Sequence, residues 1–588
     1  MHSRNVRMLV GAIGAAVVIA AIAAVVIWRR PVPSGSRHLR TAIAVLPFRN
    51  LSPDASQAYL APALHDELLT QLEKVAALSV RPPSAVMGYA DAAKPIQEIA
   101  EELAVGTIIE GSVQVVGNRL RVSVERFDPV TEEHQWVEQS DRALDDAFAV
   151  QSEIARRIVE AVGTTLTGAE SGAIAAAPTT NAEAYRLYLQ GRAYASRPDH
   201  VRENVQSAQQ LYERALKLDA RFALAHAALS EVLGFMYSYD SSPARAARQR
   251  GEAATALRFA PGLPQAHFAM GMALASSHSG ALSDLRQALK DFQAAAEGLP
   301  GSADVWEFGC SLYQSLGDWP AWQSAFGRAT ALDPRNVDLI IQGGNGFWLQ
   351  HRYEEAVAEI NRALTLAPGW AWLKVAKAQL YVIWQGQLDT LRAVLEHGPK
   401  DYGAAGTARG WRFQLALWER RPDLLLALGP EPQRVIFEAE AAYEPGLLYA
   451  AWAHQLVGDS VAAQSAFRGA LAQLDSASRA LPGDWRLHAS RGLALAGLGQ
   501  LAQATREADW LRASAADLGV PAAASRRTSR ALILAQARLT DAALAEIEPL
   551  LTGPSWIVSV PMLRLDARWD PIRNDPRFQA LLRRHAGS

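Results

Sequence analysis

The residues with the most chemical capacity in this chain are few and scattered. His65, Asp66 and Glu67 are consecutive, and an imidazole beside two carboxylates could relay a proton or hold a metal ion. The apolar stripe Leu60, Ala63, Leu64, Leu68 and Leu72 places them on the exposed side of a helix. A solvated helix face is then the plain reading, and a hydrolase hidden in the surrounding domain the sharper one. Cys310, the single thiol, lies between Phe308 and Leu312 in a small-residue packing slot, which suits a buried inert group better than a nucleophile. Gly343-Gly344-Asn345-Gly346 is the nearest glycine cluster to a phosphate cradle. It lacks the Gly-Lys-Ser or Gly-Lys-Thr ending and a preceding strand, so helix packing or a local kink explains it better. No His-Glu-x-x-His occurs. The chain is therefore expected to be no enzyme, with no catalytic residue, no metal and no cofactor.

Composition narrows the partners. The 588 residues are 49% hydrophobic and 20% charged, enough for several packed cores. A net charge of −2 leaves no basic surplus for phosphates, which disfavours nucleic acid as a partner. One cysteine excludes an intrachain disulfide and a cysteine zinc cluster.

The elements follow from periodicity. Residues 43–48 form a continuous apolar run ended by Pro47 and turn-rich residues, which predicts a short buried strand. A helix over 56–72, a strand at 78–80 and a helix over 95–105 follow. Runs 107–115 and 119–126 alternate on either side of Gly117-Asn118, the pattern of a hairpin. A strand at 134–139 and a helix over 144–166, with Phe148, Ile154, Ile158 and Val162 on one stripe, complete a small α/β domain over 41–167.

That block resembles the TolB amino-terminal-like (FlgO-like) domain found in bacterial membrane-bound signalling proteins between a membrane span and TPR repeats. The residues that carry the resemblance are Ala44-Val45-Leu46-Pro47-Phe48, Asn50-Leu51-Ser52-Pro53-Asp54, Leu68, Glu110-Gly111-Ser112-Val113, Asn118-Arg119-Leu120-Arg121-Val122, Asp128 and Thr131. Relatives show Asp-Gly followed by Glu-Glu in the first helix. Here Leu60-Ala61-Pro62-Ala63-Leu64-His65-Asp66-Glu67 stands instead, so a docking and spacer role is expected rather than a small-molecule site.

In front of the block, residues 8–28 are an unbroken apolar run between Arg4, Arg7 and Arg29, Arg30. At ~1.5 Å rise per residue, ~20 residues cross a bilayer core, so an uncleaved transmembrane anchor is expected, with a cleaved signal peptide or a core helix as alternatives. Residues 1–7 form a short tail and 29–40 a linker. Arginine counts favour a cytoplasmic body. The resemblance implies a periplasmic one, attached to the inner membrane.

Behind the block, a linker over 168–181 leads into helices. Ala288, Phe292, Ala295 and Pro300 recur as Trp322, Phe326, Ala329 and Pro334, and as Ala356, Ile360, Ala363 and Pro368, the prolines 34 residues apart. This is the TPR period. Repeats are expected over 182–396, divergent helix pairs over 397–446, and TPR-like repeats with a C-terminal cap over 447–588. The fold class expected for the whole is α+β: an N-terminal transmembrane helix, the α/β domain and an all-α TPR superhelix. The repeat register puts Gln265, Phe268, Asp304, Glu307, Gln314, Asp338, Asn345, Trp348, Trp372 and Gln379 along a groove made by the first helices. Aromatics and amides there suit an extended peptide or partner helix, although Trp348 and Trp372 could equally pack between repeats. The expected function is a membrane-anchored sensor or adaptor that binds proteins or peptides. The alternative is a regulatory subunit of a signalling system, with the layout of an adenylate cyclase or winged-helix regulator but no effector domain.

Overall fold

The computed structural model describes residues 41–90, 94–129, 133–197, 201–237, 242–275, 281–399, 408–428 and 442–586. The expected tail at 1–7, span at 8–28 and linker at 29–40 lie outside them. The chain divides into two compact units, Met1–Pro198 with Leu299–Gly301, and Asp199–Gly298 with Ser302–Ser588.

The first unit is built on one mixed sheet. Strands β1 (Ala42–Val45), β2 (Arg49–Asn50), β3 (Ser79–Val80), β4 (Thr107–Val116), β5 (Arg119–Asp128) and β6 (Glu133–Ala143) give the order β3-β1-β4-β5-β6, with β2 on β4. β1 is parallel to β3 and β4, while β4, β5 and β6 are antiparallel. All four residues of β1 are buried, as a continuous apolar run requires. The β4–β5 turn falls at Gly117, which takes φ 62°, a value glycine adopts without strain. Helices α1 (Leu60–Glu73), α2 (Ile96–Leu103), α3 (Ala147–Ala161), α4 (Gly168–Ala175) and α5 (Ala182–Ala195) accompany the sheet. α4 occupies part of the segment expected as a linker. Thr167 and Glu170 start it with a reciprocal capping box. α5, whose residues carry the first helical pattern after that segment, belongs to this unit.

The described residues of the second unit form helices and no named strand. Its middle holds α6 (Leu282–Gly298), α7 (Ala303–Leu316), α8 (Trp319–Leu332), α9 (Val337–Leu349), α10 (Tyr353–Leu366) and α11 (Ala371–Gln385). First helices α7, α9 and α11 begin 34 residues apart, so the TPR repeats are present as paired helices. Glycines let the pairs close. The Trp322 ring of α8 lies on Gly346, and a Cβ there would stand 2.1 Å from it; Phe326 covers Gly343 in the same way. The glycine cluster is thus a packing surface. Cys310 and Ala378, at the small slot of their repeats, are fully buried.

The expected fold class is corrected in one part. The chain is not α+β as a whole but predominantly helical, because the sheet ends at Ala143 and helices continue from there to Arg584. No helix among the described residues is long and apolar enough to cross a membrane.

Candidate functional site: the face of the first helices

The helices Pro264–Ala275, α7, α9 and α11 carry the residues expected to line a groove. On α7 and α9, Asp304 and Asp338 are exposed and Glu307 is half-buried. Burial, with Asp304, Asp338 and Asp333 adding their charges, pushes the Glu307 carboxyl up to about 7. Asn336 Nδ2 donates to Glu307 Oε2 at 3.1 Å, a bond that works the other way. The buried side-chain carbonyls of Gln265, Gln314 and Gln342, on the same set of helices, meet no protein donor. Gln342 spends its amide N–H on Ser311 Oγ. Asn345 and Gln379 are half-buried. Phe268 packs edge-on against Phe308 at 5.7 Å, and Trp372 stacks with Trp370 at 6.2 Å.

Trp348 is the correction to this set. It is buried, and its indole N–H donates to the Trp556 carbonyl at 2.6 Å, with the two rings edge to face at 5.7 Å. The segment between Thr540–Thr552 and Val560–Leu565 crosses the C-terminal ends of α9 and α11. Ser555 N donates to Leu349 O at 3.1 Å, and Ser559 Oγ to Ile383 O at 2.5 Å. These bonds satisfy helix-end carbonyls that have no partner inside the helix. His351 takes φ 62° where the neighbouring repeats use Gly317 and Gly386, and its Nε2 lies 2.8 Å from Ser555 Oγ. The chain's own segment therefore covers the C-terminal ends of two first helices. Exposed Asp304 and Asp338 mark an acidic part at the N-terminal ends of α7 and α9.

The sequence pattern missed Ser555, Trp556 and Ser559. Their only local signal is Gly553-Pro554 before Ser555-Trp556, which breaks the helical period without saying where the segment goes.

The second correction concerns His65, Asp66 and Glu67, which are buried rather than exposed. α5 covers the polar face of α1. Arg192 pairs with Asp66, its Nε donating at 2.8 Å, and the same nitrogen stands 3.5 Å from Glu67. The Tyr188 hydroxyl donates to Glu67 Oε1 at 2.7 Å. His65 Nε2 lies 2.9 Å from Val45 O, and its ring packs against Phe48. Burial raises the Glu67 carboxyl, lowers His65 and holds Lys74 down to about 8. Each group has a protein partner and little contact with solvent, so the cluster fastens α1 to α5. Cys310 is equally closed off, its thiol pushed up to about 12 by burial with Glu307 adding. Among the described residues no group of three or more His, Cys, Asp or Glu could hold a metal ion.

No family model matches the chain. It is 32% identical over 238 residues to a protein of Rhizobium meliloti (strain 1021) named "Putative adenylate cyclase 3", and the match covers 40% of each chain. The chain thus spans two fifths of the length of that relative. Among solved structures it is similar to a thermophilic TPR protein of Thermus thermophilus, with 19% identity, 34% of this chain and 99% of that one covered, and a TM-score of 0.28. It is also similar to the human IFIT1 dimer with PPP-AAAA, with 12% identity, 63% and 79% covered, and a TM-score of 0.32. These scores are low, and the repeat assignment stands on this chain's own 34-residue helix spacing.

Proposed function

We propose that this chain is a non-catalytic adaptor whose first-helix face takes an extended, cationic segment of a partner protein. The observation that carries the reading is the acidic patch of Asp304, Glu307 and Asp338, whose two aspartates are exposed and whose charges act together on Glu307. Lysine and arginine offer donors and positive charge together. The test uses the full chain and two fluorescein-labelled octapeptides, alternating Lys-Ala and alternating Glu-Ala. The lysine peptide binds at least tenfold more tightly, and Asp304→Asn with Asp338→Asn removes most of the difference. Equal affinity of the two peptides would overturn the reading.

In this proposal the first unit is a TolB-like docking module. What supports it is that the separated motifs meet. Phe48 lies over Gly111, where a Cβ would stand 2.4 Å from the ring, and Ser52 Oγ accepts from Val115 N at 3.0 Å. Asn50 Oδ1 accepts from Ser52 N, and Asp54 Oδ1 from Ser56 N. A second reading, a regulatory subunit of a nucleotide cyclase system, is favoured by the 238-residue match. Purified chain incubated with ATP and magnesium should form no cyclic AMP. If it does form cyclic AMP, the non-catalytic proposal fails.

A further inference from the structure

Strand β6 ends the sheet. Among the described strands it pairs with β5 alone, so the backbone groups on its other side have no strand partner. Such an edge is a template for a further strand. Its register shows which side chains lie on which face. Glu138 stands opposite Val124, Ser140 opposite Val122 and Arg142 opposite Leu120, all three of them buried residues of β5. Glu138, Ser140 and Arg142 therefore share the helix-covered face. α3 runs antiparallel to β6 over that face, because Arg142 pairs with Glu153 at 2.8 Å and Glu138 approaches Arg157 at 3.9 Å.

Beside the edge lies a cavity of about 600 Å³, the size of a site for a short peptide stretch or small ligand. It is lined by Arg142 of β6, by Phe148, Ser152 and Arg156 of α3, by Ala175 at the end of α4 and by Ala177 after it. Its cations are not equivalent. Arg142 is paired with Glu153, and Arg157 with Glu160. Arg156 donates from Nε to the Ser152 carbonyl at 3.2 Å and has no carboxylate partner among the described residues, although it is exposed at the cavity. The rest of its guanidinium fork is therefore open to a planar anion.

We infer that the edge of β6 and the cavity beside it form a second protein-binding site, independent of the repeat groove. Its occupant is an extended segment of another protein that adds as a strand to β6 and carries a carboxylate side chain to Arg156. Alternate residues of an added strand point to one face. The residues on the helix side would enter the cavity, one acidic at Arg156 and one apolar against Phe148 and the two alanines. The main chain supplies affinity by pairing, and the side-chain pockets supply selection.

The test uses the full chain and a labelled peptide, acetyl-Thr-Val-Glu-Val-Phe-Val-Thr-amide, read by fluorescence anisotropy. A control peptide has Lys in place of Glu. Two further peptides are N-methylated at odd or at even positions, so that in either register one of them cannot donate to the strand. The glutamate peptide should bind at least tenfold more tightly than the lysine peptide, and Arg156→Gln should bring the two within twofold. One N-methylated peptide should lose at least tenfold and the other much less. Absence of binding, unchanged selectivity in Arg156→Gln, or two methylated peptides that bind like the parent would each overturn the inference. Arg156 is exposed, so its loss leaves the fold intact, and the methylated peptides test strand addition on the unaltered protein.

Discussion

Replacing Glu307 by Gln removes one titration from the acidic patch and leaves a carbonyl that can still accept from Asn336 Nδ2. In the folded chain this carboxyl is raised from 4.5 to about 7. The folded state therefore holds a proton that the unfolded state has released between those values. The stability it contributes is present in full below about 4.5, declines as pH rises to about 7 and is flat above. At ~1.4 kcal/mol per tenfold, the ionised form is disfavoured by about 3 kcal/mol, and solvent screening at a half-buried site brings this nearer 2. Glu307→Gln should then leave α7 nearly unchanged at pH 4 and stabilise it by about 2 kcal/mol at pH 8. Native-state hydrogen exchange over residues 303–316, taken as the ratio of variant to parent at each pH, cancels the intrinsic rates. The protection ratio should be near one at pH 4 and roughly thirtyfold at pH 8. A ratio that is the same at both values would show that Glu307 is not held by its neighbours as argued.

Three further outcomes follow from the packing. Arg192→Met leaves Asp66 and Glu67 buried without their cation and should destabilise the first unit by about 3–5 kcal/mol, seen as earlier loss of protection in α1 and α5. Gly111→Ala forces a methyl into the Phe48 ring and should cost about 1–3 kcal/mol, largely recovered when Phe48→Leu is added. Trp348→Phe removes the donor to the Trp556 carbonyl and should cost about 1–3 kcal/mol, with faster proteolytic cleavage within 553–559; an unchanged cleavage rate would show that this bond does not hold the segment.

The positions of the elements could be read from the chain because their signals are local. Alternation about Gly117-Asn118 gave β4 and β5 within two residues at their outer ends, and the apolar run over 43–48 gave a strand where β1 lies, although β1 stops at Val45. The prolines at 300, 334 and 368 placed each helix pair in a register that the structure keeps, since Cys310 and Ala378 fill the buried small slot it assigned. Periodicity failed where a polar stripe meets something other than water. His65, Asp66 and Glu67 sit on the charged side of α1, and no rule of spacing within α1 tells that Tyr188 and Arg192, more than 120 residues later, will cover it. Trp348 failed for the same reason, because Trp556 reaches it from 208 residues away. The sequence by itself determined the repeat unit, the hairpin and the absence of recognisable reaction motifs, all of which depend on neighbours within one or two turns. The tertiary structure alone decided which charged residues are buried, which end of the first-helix face the chain's own segment covers and which edge of the sheet is left bare, because these depend on contacts between segments that no local period connects.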